Sequence, residues 1–256
     1  MRKTIVILLA AAILTACTAA DPQPVDTDPQ TDTTATETQT AAAEEPETAA
    51  ETEPDEPAAA AEISYRHIVT WESSTGAIWC TAVVEATNTG STPVSLSSCT
   101  LDIERADGTL ADTLELGGAV PEVIDPGEVG YYVYTGTLDA ALPEEYTLLP
   151  HASYEEHAAP VRYPVTEVTL TDTDYYGVQA TCRVANDTDE EIASPHVSVI
   201  LLGEDGHAAA KLHTYADTIA PGDKIGVKVG ALSMHPDITA DTVSGYVAVA
   251  EPMFQW

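Results

Sequence analysis

From residue 63 onward, apolar and polar residues alternate in short runs. Cys80, Ala82, Val84 and Ala86 alternate with Thr81, Glu85 and Thr87, and Val83 alone breaks the polar side of the run. Val178, Ala180, Cys182 and Val184 alternate in the same way with Gln179, Thr181, Arg183 and Ala185. A period of two predicts strands with one face buried. Each run ends in a turn, Asn88-Thr89-Gly90-Ser91 in one place and Asn186-Asp187-Thr188-Asp189 in the other. Residues 96–105 and 192–202 then run to Asp107-Gly108 and Asp205-Gly206, and Asp-Gly between apolar runs is a hairpin signal. After Pro221-Gly222 a further strand turns Ile225, Val227 and Val229 inward and Lys224, Gly226 and Lys228 outward. The same register places Tyr132 and Tyr134 in a core and leaves Tyr131 and Val133 outside.

These signals come twice. A shift of 98 lays Tyr65 on Tyr163, Ala82 on Ala180, Asn88 on Asn186 and Asp107-Gly108 on Asp205-Gly206. A shift of 95 then lays residues 124–128 on 219–223, which puts Pro126-Gly127-Glu128 on Pro221-Gly222-Asp223. About seven short strands per copy, with no sustained helical period, predict an all-β chain. We expect two tandem immunoglobulin-like β-sandwich domains, over 63–156 and 157–256, joined near residues 155–160. No helix longer than a turn or two is needed.

A strand ending in Asn, a polar turn, an alternation closing on Asp-Gly, then Pro-Gly-Glu or Pro-Gly-Asp, resembles the FxLYD group of bacterial surface domains. The likeness covers 80–108 with 124–134, and 178–206 with 219–229. The name-giving motif is altered, to Leu101-Asp102-Ile103-Glu104-Arg105 in one copy and Val199-Ile200-Leu201-Leu202-Gly203 in the other. The resemblance implies an immunoglobulin-like fold carried on a lipoprotein. It supplies no catalytic residues.

The N-terminus agrees with that placement. Arg2 and Lys3 precede an apolar run of ten residues, 5–14, whereas a spanning helix needs about 20. The run ends Leu14-Thr15-Ala16-Cys17, which resembles the bacterial lipobox. We expect a signal peptide over 1–16 and a lipidated Cys17, since two acyl chains hold a protein stably on a membrane. Residues 18–62 hold 13 acids, six prolines and no Lys, Arg, Gly or aromatic residue. Such a composition cannot bury enough apolar surface to order itself. The expected role of 17–62 is a disordered spacer between lipid and folded body.

Charge then narrows the partners. The 256 residues carry 42 acids against 9 bases, a net charge of −33. From residue 63 onward the counts are still 29 and 7. A surface this negative repels phosphate backbones and anionic lipid, which excludes nucleic acid as a partner.

The chemistry-bearing residues give weak leads. Cys80 and Cys99 flank the Asn-Thr-Gly turn symmetrically and align with Val178 and Val197. A disulfide between strands paired across that turn fits an exported chain. Two buried thiols standing in for two valines fit as well. Cys182, aligned with Val84, reads as a buried free thiol. Asp172, Asp174, Glu204 and Asp205 form a weak candidate calcium cluster, although ordinary solvated acids are the better reading. His151 and His157 bracket Glu155-Glu156 without a zinc-ligand spacing, as in a solvated linker. Tyr175-Tyr176, Phe254 and Trp256 are candidate exposed contacts.

No nucleophile motif or phosphate loop appears, so no enzyme activity and no cofactor are expected. The sequence reads as a lipid-anchored envelope protein that faces outside the cytoplasm and contacts envelope or secreted proteins. The alternatives are a lipoprotein that binds glycan or a divalent cation, and an accessory subunit of an envelope hydrolase or transporter.

Overall fold

The computed structural model describes residues 58–174, 177–231 and 233–253. The signal peptide, Cys17 and nearly all of the spacer lie outside them, as do Tyr175, Tyr176, Phe254 and Trp256. The described chain is all-β, and none of it is helical.

In the first copy, β1 (Ala61–Glu72), β2 (Ile78–Asn88) and β6 (Val129–Thr137) form an antiparallel sheet in the order β1-β2-β6. The facing sheet centres on β3 (Val94–Arg105), which pairs with β4 (Leu110–Gly117), β5 (Val123–Ile124) and β7 (Tyr146–Glu156). The second copy repeats the plan. Its β8 (Val165–Thr173), β9 (Gly177–Ala185) and β12 (Lys224–Val229) form one sheet. Its β10 (His196–Leu202), β11 (Ala208–Tyr215) and β13 (Gly245–Glu251) form the other, in the order β11-β10-β13. Where β3 meets β5 at Val94 and Ile124, the second copy keeps a single bridge between Ile192 and Ile219.

Each copy closes over its own core. Cys80, Ala82, Val84 and Ala86 face Leu96, Leu101 and Ile103 in the first, with Tyr132 filling the space between. Val178, Ala180, Cys182 and Val184 face Val197, Val199 and Leu201 in the second. The period-two reading therefore puts the right side chains inside.

The repeated Asn has a structural task. Asn88 is buried; its Nδ2 donates to Thr92 O at 2.9 Å and Ile124 O at 3.0 Å, and its Oδ1 accepts from Gly90 N at 2.9 Å. Asn186 does the same, donating to Glu190 O at 2.7 Å and Ile219 O at 2.9 Å and accepting from Thr188 N at 3.0 Å. The backbone C=O of each Asn accepts from the glycine of the Pro-Gly pair, Gly127 at 2.8 Å and Gly222 at 2.9 Å. Asn and Pro-Gly recur together because one residue ties the other's turn to the end of the sheet.

Three expectations change. The turn after Asn88 is not a hairpin: β2 and β3 lie in opposite sheets, and the chain crosses the sandwich there. The body starts before residue 63, since β1 opens at Ala61, and Ala58 O accepts from Ser91 N and Thr92 N. Strand β7 runs to Glu156 along β3, so His151 and Glu155-Glu156 belong to a strand, and the connection shortens to residues 157–164. Pairing with β3 satisfies backbone groups that a linker would leave to water.

A third apolar cluster joins the copies. Val83, Val120 and Val133 of the first pack with Ile200, Ala208 and Val249 of the second. The outer face of β1-β2-β6 thus meets the outer face of β11-β10-β13, and four sheets stack in layers. The two copies use non-equivalent faces, a head-to-tail contact that could in principle continue. It stops because the equivalent free faces are polar. Asp102 and His151 stand where the second copy has Ile200 and Val249, and Thr181 and Lys228 stand where the first has Val83 and Val133.

Candidate functional site

The seam between the sandwiches gathers most of the unusual side chains. Its centre is dry, with Ile200 fully buried and Val83 2% exposed. Each end is closed by a buried carboxylate. Glu85 on β2 accepts from Ala208 N at 2.8 Å through one oxygen, and its other oxygen lies 3.1 Å from His207 Nδ1. Tyr65 stacks on the His207 ring with centroids 3.6 Å apart and planes 5° from parallel. At the far end Glu251 on β13 accepts from Glu122 N at 3.3 and 3.4 Å. A buried carboxylate must be met by donors, and here each acid accepts from a backbone N–H of the other sandwich.

Arg162, in the connection between the copies, adds a third tie. Its two Nη atoms donate to Glu128 at 2.9 and 2.7 Å, and Nη2 also donates to Val123 O at 2.7 Å. The Arg162 hydrogen bond holds the Glu128 carboxyl below its ordinary range. That tie is present at neutral pH and is lost as pH falls through the lowered value.

A set of basic groups lies on the outer face of β10 and β11. Burial pushes His196 down to about 4, and the charges of His213 and Lys211 act in the same direction. Burial and the Lys211 charge also lower His213, and burial lowers Lys211. For a histidine shifted down, the unfolded chain binds the proton first. Stability held at pH 7 is therefore lost as pH falls from about 6.5 toward 4. We expect His196 to account for about 2 kcal/mol over that interval, allowing for the water that still reaches the ring. Urea unfolding at pH 7 and pH 5, with the His196 ring signals followed by NMR, checks this. A midpoint unchanged by pH, or a ring titrating near 6.5, would refute it.

Of the clefts along the seam, two lie beside histidine and tryptophan side chains. One, of about 460 Å³, lies over the β1 side and is lined by Tyr65, His67, Val69, His207, His235 and Ile238 among others. Beside it the cross-strand pair Trp71 and Trp79 stacks at 6.1 Å, and the His235 ring meets Trp71 edge-on at 5.2 Å. The other, of about 430 Å³, lies between β6 and β11 and includes Trp79, Leu116, Tyr134, Lys211 and His213. Both fall within the size range of small-ligand sites.

Two of the four candidate calcium ligands have other partners. Asp172 Oδ1 accepts from Ala240 N at 2.7 Å, and Asp205 Oδ1 accepts from His207 N at 3.1 Å in a turn that hangs over the first sandwich. Among the described residues no three His, Cys, Asp or Glu side chains gather as a metal site. The β10–β11 turn that carries Glu204 and Asp205 lies beside Tyr65. His151 Nε2 lies 3.2 Å from Asp102 Oδ2 across β3 and β7, and His157 Nδ1 is 3.0 Å from Ala158 O.

Cys80 and Cys99 are buried free thiols in one core, on facing sheets rather than on paired strands. Burial pushes each to about 11, and it raises Cys182 too. Thiolate is the reactive form. At pH 8 the native protein should leave Cys80, Cys99 and Cys182 unlabelled by iodoacetamide, and denaturant without reductant should expose all three. Labelling of Cys182 alone in denaturant would instead establish a Cys80–Cys99 disulfide.

Tyr131 and Val133 do face outward from the first core, and the seam is what covers them. Lys211, His196, His207 and Glu85 were not singled out by sequence reasoning. The available signal was Val83, an apolar residue on a polar face, and its counterpart Val199-Ile200-Leu201-Leu202, apolar on both faces. A strand apolar on both sides is covered on both sides. No protein-family model matches the chain, and no curated protein matches it. Among the described residues no helix is long and apolar enough to cross a membrane.

Proposed function

We propose that this protein is a lipid-anchored, non-catalytic component of a bacterial cell envelope, held outside the cytoplasm, whose paired sandwiches bind envelope or secreted proteins. The seam carries the reading. Its buried carboxylates, Glu85 and Glu251, accept hydrogen bonds that join the sandwiches rather than point at an open site. Arg162 and Glu128 serve the same end. A body locked in this way presents fixed surfaces at the end of an acidic spacer. The lipobox at Leu14 to Cys17 and the FxLYD-like pattern support the placement.

The test is metabolic labelling with radioactive palmitate in a bacterial host. Label should enter the wild-type chain and not Cys17→Ser, and the variant should leave the membrane fraction. A wild-type chain without label, or a Cys17→Ser chain that stays on the membrane, refutes the anchoring. The aromatic cleft over β1 favours a second reading, a small-ligand site for a glycan. Glycan-array binding that falls on Trp71→Ala would support it.

A further inference from the structure

Among the described residues, one edge of the first sandwich is left unpaired beside a cation. Tyr131 exchanges both backbone hydrogen bonds with Val120, at 3.0 Å each way, so its N–H and C=O point away from β2. Antiparallel pairing alternates along a strand. The N–H and C=O of Val133 and Thr135 therefore point the same way, and no described strand pairs with them. Natural edges are usually blunted by charge, proline or a bulge. Residues 133–137 read Val-Tyr-Thr-Gly-Thr and pair with β2 in unbroken register.

This edge forms one wall of the 430 Å³ cleft, and Lys211 and His213 line its other side. Among the described residues, no carboxylate forms an ion pair with Lys211, whereas Arg162 holds Glu128 and Arg183 holds Glu167. A half-buried lysine without a counter-charge is unusual where acids outnumber bases 29 to 7. Burial lowers its affinity for a proton, and its charge acts against protonation of His213 and His196. A carboxylate in the cleft would relieve all three.

We propose that an extended peptide adds to β6 as a further strand and sets an Asp or Glu side chain against Lys211. Backbone pairing supplies affinity, and the ammonium selects the acidic side chain. The inference rests on the reading of the protein as a binding module. Membrane anchoring is tested separately by palmitate labelling, so either can fail alone.

Hydrogen exchange on the full chain is the first arm. The Thr135 and Thr137 amides, nearer the open end of the edge than the buried Val133, should exchange rapidly in the free protein. Slow exchange would mean that the edge is already covered in the full chain, and would overturn the proposal. The second arm pans a phage-displayed random hexapeptide library on the full chain. Enriched peptides should carry β-branched residues and one acid, and should slow exchange at Thr135 and Thr137. They should bind about tenfold tighter than their Asn or Gln counterparts. Lys211→Met should abolish the acidic preference, and Lys211→Arg should keep it. No enrichment, enrichment without an acid, or an unchanged preference in Lys211→Met overturns the proposal.

Discussion

Ile200→Asp should separate the two sandwiches while leaving each one folded. Ile200 lies fully buried at the centre of the seam, on the outer face of the middle strand of its sheet, and belongs to neither sandwich core. The Lys211 ammonium stands opposite on β11, yet taking a carboxylate out of water there still costs several kcal/mol even after relaxation. The lost isoleucine adds about 2 kcal/mol of apolar burial. Opening the seam solvates the new charge, and the cost then falls on the contact between copies. Expected results are β-sheet circular dichroism close to wild type, a larger radius of gyration by X-ray scattering, and faster proteolysis within 157–164. The Tyr65–His207 stack should open as well, visible in the ring shifts. Global loss of sheet signal would show instead that the second sandwich cannot stand without the first. Ile200→Val, which keeps the seam dry, should change little.

The second prediction concerns the paired asparagines. Asn186→Ala removes two donated and two accepted bonds, those to Glu190 O and Ile219 O and those from Thr188 N and Oγ1. At about 1 kcal/mol net for each bond, reduced where water reaches the loop, the loss is about 3 kcal/mol. Asn186→Asp keeps the shape and the accepting oxygen but replaces the donor with an oxygen facing two carbonyls. We expect the isosteric change to be the more destabilising of the two, by chemical denaturation at pH 7. Asn88→Ala should behave like Asn186→Ala, because Asn88 makes the equivalent bonds to Thr92 O and Ile124 O. An Asp variant as stable as wild type would mean that the Nδ2 bonds contribute nothing.

Much of the fold was legible in the sequence because each strand reports one buried face. The alternation at 80–86 and 178–184 names the core side chains of β2 and β9 correctly. The Asp-Gly turns mark the β3–β4 and β10–β11 hairpins, and Gly108 and Gly206 both adopt φ of +81° there. The Asn and Pro-Gly pairs mark the repeat. What failed were statements about which strand neighbours which. The symmetric spacing of Cys80 and Cys99 suggested paired strands, but the turn between them crosses the sandwich. His151 looked like linker because Pro150 precedes it, yet a strand admits proline where its nitrogen need not donate.

The residues themselves determine which positions are apolar, with what period, and where the chain must turn. Those are local properties of side chains and backbone, so they can be read one segment at a time. Tertiary packing decided which sheet covers Val83 and Ile200, which donors reach Glu85 and Glu251, and that Lys211 faces an unpaired edge. Each of those depends on two surfaces more than seventy residues apart in the chain meeting in one orientation, and one strand's pattern does not carry its partner's.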